Sequence, residues 1–230
     1  YTEIAKIVAE VYKSSDAYIF PIKPGTKEWR ALRGHDEMLK VCQVPEPVLQ
    51  KMSTIGLVAT ALNYPLYGDM RAHNILQQGF NYVASGFNGI QELFRRKDAG
   101  TVLLAGYKTM DPAAVEIGFY MWVFEDVETL IAQEVILSKL TKKERRALLK
   151  QAFVAYRIKR DINSYGITGA EHSALLLGRI LRKENYPPFI KKIREDDELQ
   201  SFLDRGNFLN GPTLSCILTQ VKQFLSDKKK

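Results

Sequence analysis

The chain has 230 residues, 46% of them hydrophobic and 26% charged, so it can bury a full core and falls outside the disordered class. No apolar run reaches the ~18 residues that a membrane-spanning helix needs; the longest, Ile55–Leu62 and Ile117–Phe124, have the length of core helices. The net charge of +7 favours anionic partners or surfaces, but the basic groups (Arg95–Lys97, Lys142–Arg146, Lys191–Lys192, Lys228–Lys230) are dispersed, as on solvated helix faces.

The chain starts at Tyr1 rather than Met and enters an amphipathic stretch at once. A removed leader peptide fits this start, and so does an arbitrary boundary. A first helix is expected from Thr2 to about Ser14, with Ile4, Ile7, Val8 and Val11 on one stripe. Residues 16–45 form an irregular connecting segment. Tyr18–Pro21 is extended there, Pro24-Gly25 turns, and short helices form around Trp29 and Met38. Any strand belongs in this region.

Pro45 and Pro47 open a helix running to Leu62, which Asn63-Tyr64-Pro65 stops. Asp69 caps the next helix, to about Ser85, and Gly86-Phe87-Asn88 breaks it. Asn88-Gly-Ile-Gln91, Thr141-Lys-Lys-Glu144 and Thr168-Gly-Ala-Glu171 each read as an N-cap with its N3 partner. Asp98 starts a helix to about Met110, and Asp111-Pro112 opens one reaching Phe124. A further helix carries Val127 to Leu137. Long helices follow from Thr141 to Ile162 and from Thr168 to Glu184. Short ones lie near Phe189 and Leu199, and a last one carries Leu214 to Leu225. The expected fold is all-α: a single domain over 1–230, built as an irregular helical bundle or a degenerate α–α stack of about ten helices. Phe80, Phe87, Leu93 and Phe94 belong to its core, and Gly79 and Gly89 permit close approach or a special turn.

No catalytic motif stands out. Gly34-His35-Asp36 holds a His-Asp pair, but no His precedes it, and His73 and His172 lack metal-ligand spacing. Cys42 and Cys216 form no CxxC; they read as two buried thiols, and whether they pair stays open. No metal and no cofactor is therefore expected. His172 and Ser173 are successive residues of one helix and diverge by ~100°. The acids of Glu125-Asp126-Glu128 and Asp196-Asp197-Glu198 read as helix-start charges favoured by the macrodipole.

One stretch differs from the Lys/Glu-rich faces elsewhere. His73, Gln77 and Asn81 follow i, i+4, i+8, with Asn74 and Gln78 beside them, after a Pro-broken loop bearing Tyr64 and Tyr67. Tyrosines give contact area at low entropy cost, and amides give directional bonds without the desolvation cost of charge. Tyr64, Tyr67, Asn74, Gln78 and Asn88 are thus the candidate binding residues. The alternative is that these amides bond neighbouring helix ends.

The runs Leu62-Asn-Tyr-Pro-Leu66, Asn74-Ile-Leu-Gln-Gln-Gly-Phe80 and Phe87-Asn-Gly-Ile-Gln-Glu-Leu-Phe94-Arg-Arg-Lys-Asp98 resemble a family of uncharacterised, exported helical proteins of gut anaerobic bacteria. The resemblance is best from Pro47 to Leu140. It implies export and an all-α fold and carries no catalytic assignment. The expected role is non-catalytic binding of a protein or a polar ligand, in an extracellular, periplasmic or surface-anchored setting, with a cytoplasmic one as the alternative. A hydrolase with a dispersed site and a basic nucleic-acid binder are the competing readings. The second lacks a helix-turn-helix signature or one-sided basic face. A concave pocket holding a strongly perturbed titratable group would favour the enzyme.

Overall fold

At Thr141 the capping box closes as its sequence demands: Thr141 Oγ1 accepts from the Glu144 N–H at 3.2 Å, and Glu144 Oε2 accepts from the Thr141 N–H at 2.8 Å. The computed structural model describes residues 1–114 and 119–227. The first helices are α1 (Thr2–Tyr12), α2 (Lys27–Arg30), α3 (His35–Val41), α4 (Glu46–Lys51) and α5 (Thr54–Leu62). After a 3-10 turn (Tyr67–Ala72) come α6 (Leu76–Gly86), α7 (Asn88–Arg95), α8 (Ala99–Thr109), α9 (Tyr120–Ile131) and α10 (Glu134–Leu137). The rest are α11 (Lys142–Arg160), a 3-10 turn (Asn163–Tyr165), α12 (Gly166–Lys183), α13 (Pro187–Glu195), α14 (Asp197–Arg205) and α15 (Gly211–Asp227). The fold is all-α, and the described residues contain no strand, the 16–45 segment included.

Several elements depart from the sequence reading, each for a local reason. The helix expected from Pro45 to Leu62 splits, because Ser53 caps α5 by accepting from the Gly56 N–H, and Asp16 binds the Ser53 N–H and hydroxyl at 2.6 and 2.8 Å. The helix expected from Asp69 is a 3-10 turn and then α6, joined through extended His73 and Ile75. Gly79 explains the crossing: a Cβ there would lie 2.1 Å from the Met70 carbonyl oxygen, so the turn folds tightly over α6. Asp69 caps nothing and instead pairs with His35 at 2.7 Å.

Asn88 is not an N-cap acceptor. Its amide closes two bonds on the Val44 backbone, while Gln91 donates to the Ser85 carbonyl. Thr168 lies inside α12, donating to the Tyr165 carbonyl, and Glu171 accepts from the Leu209 N–H. The helix read from Asp111 to Phe124 falls partly on residues 115–118, outside the described residues; Asp111–Ala114 forms a turn, and α9 starts at Tyr120. Lys228–Lys230 also lie outside them.

A single hydrophobic cluster runs through these elements. Helix α12 packs against α9, α11 and α15, while α5 packs against α1, α7 and α8, and α8 joins the two groups through α9. Phe80, Phe87 and Leu93 are buried, and Phe94 packs partly buried against them. Cys42 and Cys216 are both free thiols.

Candidate functional site

Helix α9 is buried along nearly its whole length, from Val123 to Ile131, and it carries Glu125, Asp126 and Glu128 into the interior. These acids do not sit at a helix start, so the dipole reading of them fails; each meets the interior differently. Glu128 is saturated. It accepts from Lys159 Nζ at 2.7 Å, from the Tyr107 hydroxyl at 2.8 Å and from the Ser173 hydroxyl at 2.9 Å. The Lys159 ammonium also stands 5.1 and 4.9 Å from the ring centres of Phe124 and Tyr165. Asp126 pairs with Arg71 at 2.6 Å, yet burial outweighs that partner and pushes its carboxyl up to about 6.

Glu125 is the exception. It is 4% exposed, its Oε1 is buried with no hydrogen-bond partner, and its side chain enters no ion pair or hydrogen bond with the described residues. Burial pushes the carboxyl up to about 7, against the pull of Lys159 and Arg71.

Glu125 lines a cavity of about 360 Å³. The 3-10 turn and the extended link after it supply Met70, Arg71, His73 and Asn74, and the start of α6 supplies Leu76. Met121 and Trp122 come from the first turn of α9, Thr168, Glu171 and His172 from α12, and Gly206 from the C-cap of α14. Gly206 adopts the left-handed conformation, φ 59°, that ends a helix, and its carbonyl accepts from the Leu76 N–H at 3.2 Å. Arg71 is held between Asp126 and the indole of Trp122, 5.2 Å from its centre.

His172 fixes one further polarity. Its Nδ1 lies 3.1 Å from the Glu125 main-chain oxygen and 2.9 Å from Thr129 Oγ1, whose own proton goes to that same oxygen. A carbonyl only accepts, so Nδ1 carries the proton. Burial, with Lys159 nearby, lowers the imidazole to about 3. The ring is neutral, and Nε2 is left as a lone-pair acceptor without a protein partner among the described residues. Burial also raises Glu171, whose carboxylate accepts from the Leu209 N–H.

Of the five residues predicted to bind, the structure brings only Asn74 to this cavity. Tyr64 and Tyr67 are buried; Tyr64 stacks on Phe87 with ring centres 4.1 Å apart. Both line a neighbouring space of about 300 Å³ that shares Arg71 and Trp122 with the first. Gln78 is exposed, and Asn88 is spent on Val44. The expected amide row is interrupted because His73 and Asn74 precede α6; Gln77 donates inward to Gln133 at 2.8 Å. Glu125, Glu171 and His172 escaped the sequence reading as site residues. The signal for His172 was a polar side chain inside the apolar run of α12; for Glu125 the run of acids was visible, but its burial was not.

Among the described residues, no three His, Cys, Asp or Glu side chains converge as a metal site, and no helix is long and apolar enough to cross a membrane. No protein-family model, curated protein or solved structure matches the chain.

Proposed function

We propose that this chain is a binding protein and that the cavity between the 3-10 turn, α9 and α12 receives a small polar molecule. The observation that carries this reading is Glu125: a buried carboxyl without a partner, on the wall of a concave space, lacks the hydrogen bonds that buried polar groups normally have. A ligand donor supplies what the fold leaves out. Export belongs to the same proposal and rests on the resemblance of the Asn63-Tyr64-Pro65 and Phe87–Asp98 runs.

A second reading has one observation in its favour. A carboxyl poised near 7 beside a neutral imidazole can take and return a proton at neutral pH. It would make the chain a hydrolase with Glu125 as general acid–base. The binding reading comes first because an open Glu125 carboxyl needs only a ligand donor to complete it, and the hydroxyl among the described lining residues, Thr168, donates to the Tyr165 carbonyl and adds no side-chain nucleophile.

Trp122 provides the test. It is 39% exposed and lines the cavity, and Trp29 is the only other tryptophan. In a Trp29→Phe background, titration with a library of small polar metabolites should change Trp122 emission saturably for at least one compound. The change should vanish in Glu125→Ala. A library that leaves the emission unchanged, in a folded protein, refutes the binding role. Turnover of the bound compound that disappears in Glu125→Gln would favour the hydrolase.

A further inference from the structure

We propose that the ligand of this cavity is a small organic cation, an amine or an amidine, held by Glu125, Glu171 and the Nε2 lone pair of His172. The inference rests on reading the cavity as a binding site and adds the chemical class of what fills it. Three observations carry it. First, of the Asp, Glu, Lys and Arg side chains around the cavity, all but two are matched among the described residues. Arg71 from the 3-10 turn is paired with Asp126 of α9, and Lys159 from α11 is paired with Glu128 of α9, so these four cancel. His172 of α12 carries its proton on Nδ1, toward the Glu125 main-chain oxygen, and burial lowers the imidazole to about 3, which keeps the ring neutral. The carboxylates of Glu125 and Glu171 remain, and no cation is paired with either.

Second, the open positions on Glu125, His172 and Glu171 are acceptors, whereas the Asn74 amide and the Trp122 indole, which can donate, are exposed. Glu125 has a free carboxyl, His172 presents an unprotonated Nε2, and Glu171 has one N–H from Leu209 and spare lone pairs. A ligand with several N–H groups on one charged centre matches this set. With Glu125 ionised, a carboxylate, phosphate or ketone would leave acceptor facing acceptor. Third, Trp122 stands at the wall with Arg71 over its indole, 5.2 Å from the ring centre, so the wall already carries a guanidinium–aromatic contact of the kind an amidine would make.

The pH dependence follows. The titratable groups around Glu125 are Arg71 from the 3-10 turn, His73 from the link after it, Lys159 from α11, and Asp126 and Glu128 on its own helix, with His172 and Glu171 alongside on α12. With its carboxyl raised to about 7, Glu125 is protonated at pH 6 and must release that proton when a cation binds. Affinity therefore rises from pH 6 to pH 8.

The experiment is isothermal titration of the whole chain with four probes: benzamidine, benzamide and benzoate, which share one size and shape, and the smaller butylamine. Benzamidine or butylamine should bind at least about tenfold more tightly than the neutral and anionic probes at pH 8. At pH 6 binding should weaken and protons should appear in the buffer, as read from heats in two buffers of different ionisation enthalpy. Glu125→Gln should abolish the proton release and weaken the cation by about tenfold or more, with Glu171→Gln as the second variant should the first not fold. Equal or tighter binding of benzamide or benzoate overturns the cation and leaves the binding cavity intact. No heat from any of the four overturns the cation, and an unchanged Trp122 emission across the metabolite library then removes the cavity as well.

Discussion

Glu125 and His172 sit side by side and pull the stability of the protein in opposite directions with pH. Glu125 has an ordinary value of 4.5 and a folded value of about 7. Between the two, the folded chain holds a proton that the unfolded chain has lost, so its contribution to stability falls as pH rises through that window. His172 has an ordinary value of 6.5 and a folded value of about 3. There the unfolded chain holds the extra proton, and stability rises with pH across the window. Glu125→Gln removes the first slope and keeps the second. The variant's stability relative to the parent should therefore grow from pH 5 to pH 8 by about 2 to 3 kcal/mol, read by urea titration at each pH. A difference that stays constant over that range would mean that Glu125 ionises at an ordinary pH.

At the level of elements, α9 is the helix that needs the others. Its Glu128 is satisfied from three separate places: Tyr107 on α8, Lys159 on α11 and Ser173 on α12 all converge on it. Lys159→Met leaves Glu128 buried without a cation and should lower stability by roughly 3 to 5 kcal/mol. Adding Glu128→Gln removes the stranded charge, so the double variant should be roughly 1 to 3 kcal/mol more stable than Lys159→Met alone. Strict additivity of the two losses, by chemical denaturation, would show that the pair does not act as a unit.

The same helix marks how far the sequence could be read. Apolar stripes and the Thr141 cap announced the all-α class and the long helices α11, α12 and α15, because those signals are local. Lys159 was visible in principle: it continues the buried row Ala152, Ala155, Tyr156 of α11, where a solvated lysine does not belong. The failures were long-range. Asn88 and Asp69 have the chemistry of caps, but Val44 and His35, brought close only by the tertiary fold, claim them first. The cavity is likewise assembled from segments around 71, 122, 171 and 206, and no spacing within one segment betrays it.

For the whole molecule, the two helix groups are interdependent: α8 and α9 belong to the part of the chain before residue 141, but Lys159, which neutralises Glu128, and α12, which packs along α9, come after it. A fragment comprising residues 1–141 keeps the α1, α5, α7 and α8 packing and loses α11 and α12 from around α9. Such a fragment should show helical circular dichroism without a cooperative thermal transition, and it should bind a dye specific for exposed apolar surface. A sharp two-state melt would show that the N-terminal part folds by itself.

The buried pair of Glu128 and Lys159 also has a meaning in time. Thirty-one positions separate the two along the chain, and a ribosome delivers the acid first. Until the lysine emerges, α9 cannot enter a dry interior without stranding a charge, so a nascent chain has reason to keep that helix wet and loosely docked. The ion pair thus acts as a latch on the order of assembly: the carboxyl waits, and the arrival of α11 lets the core close. The cavity wall at Glu125, one turn away on the same helix, takes shape only in that final closure.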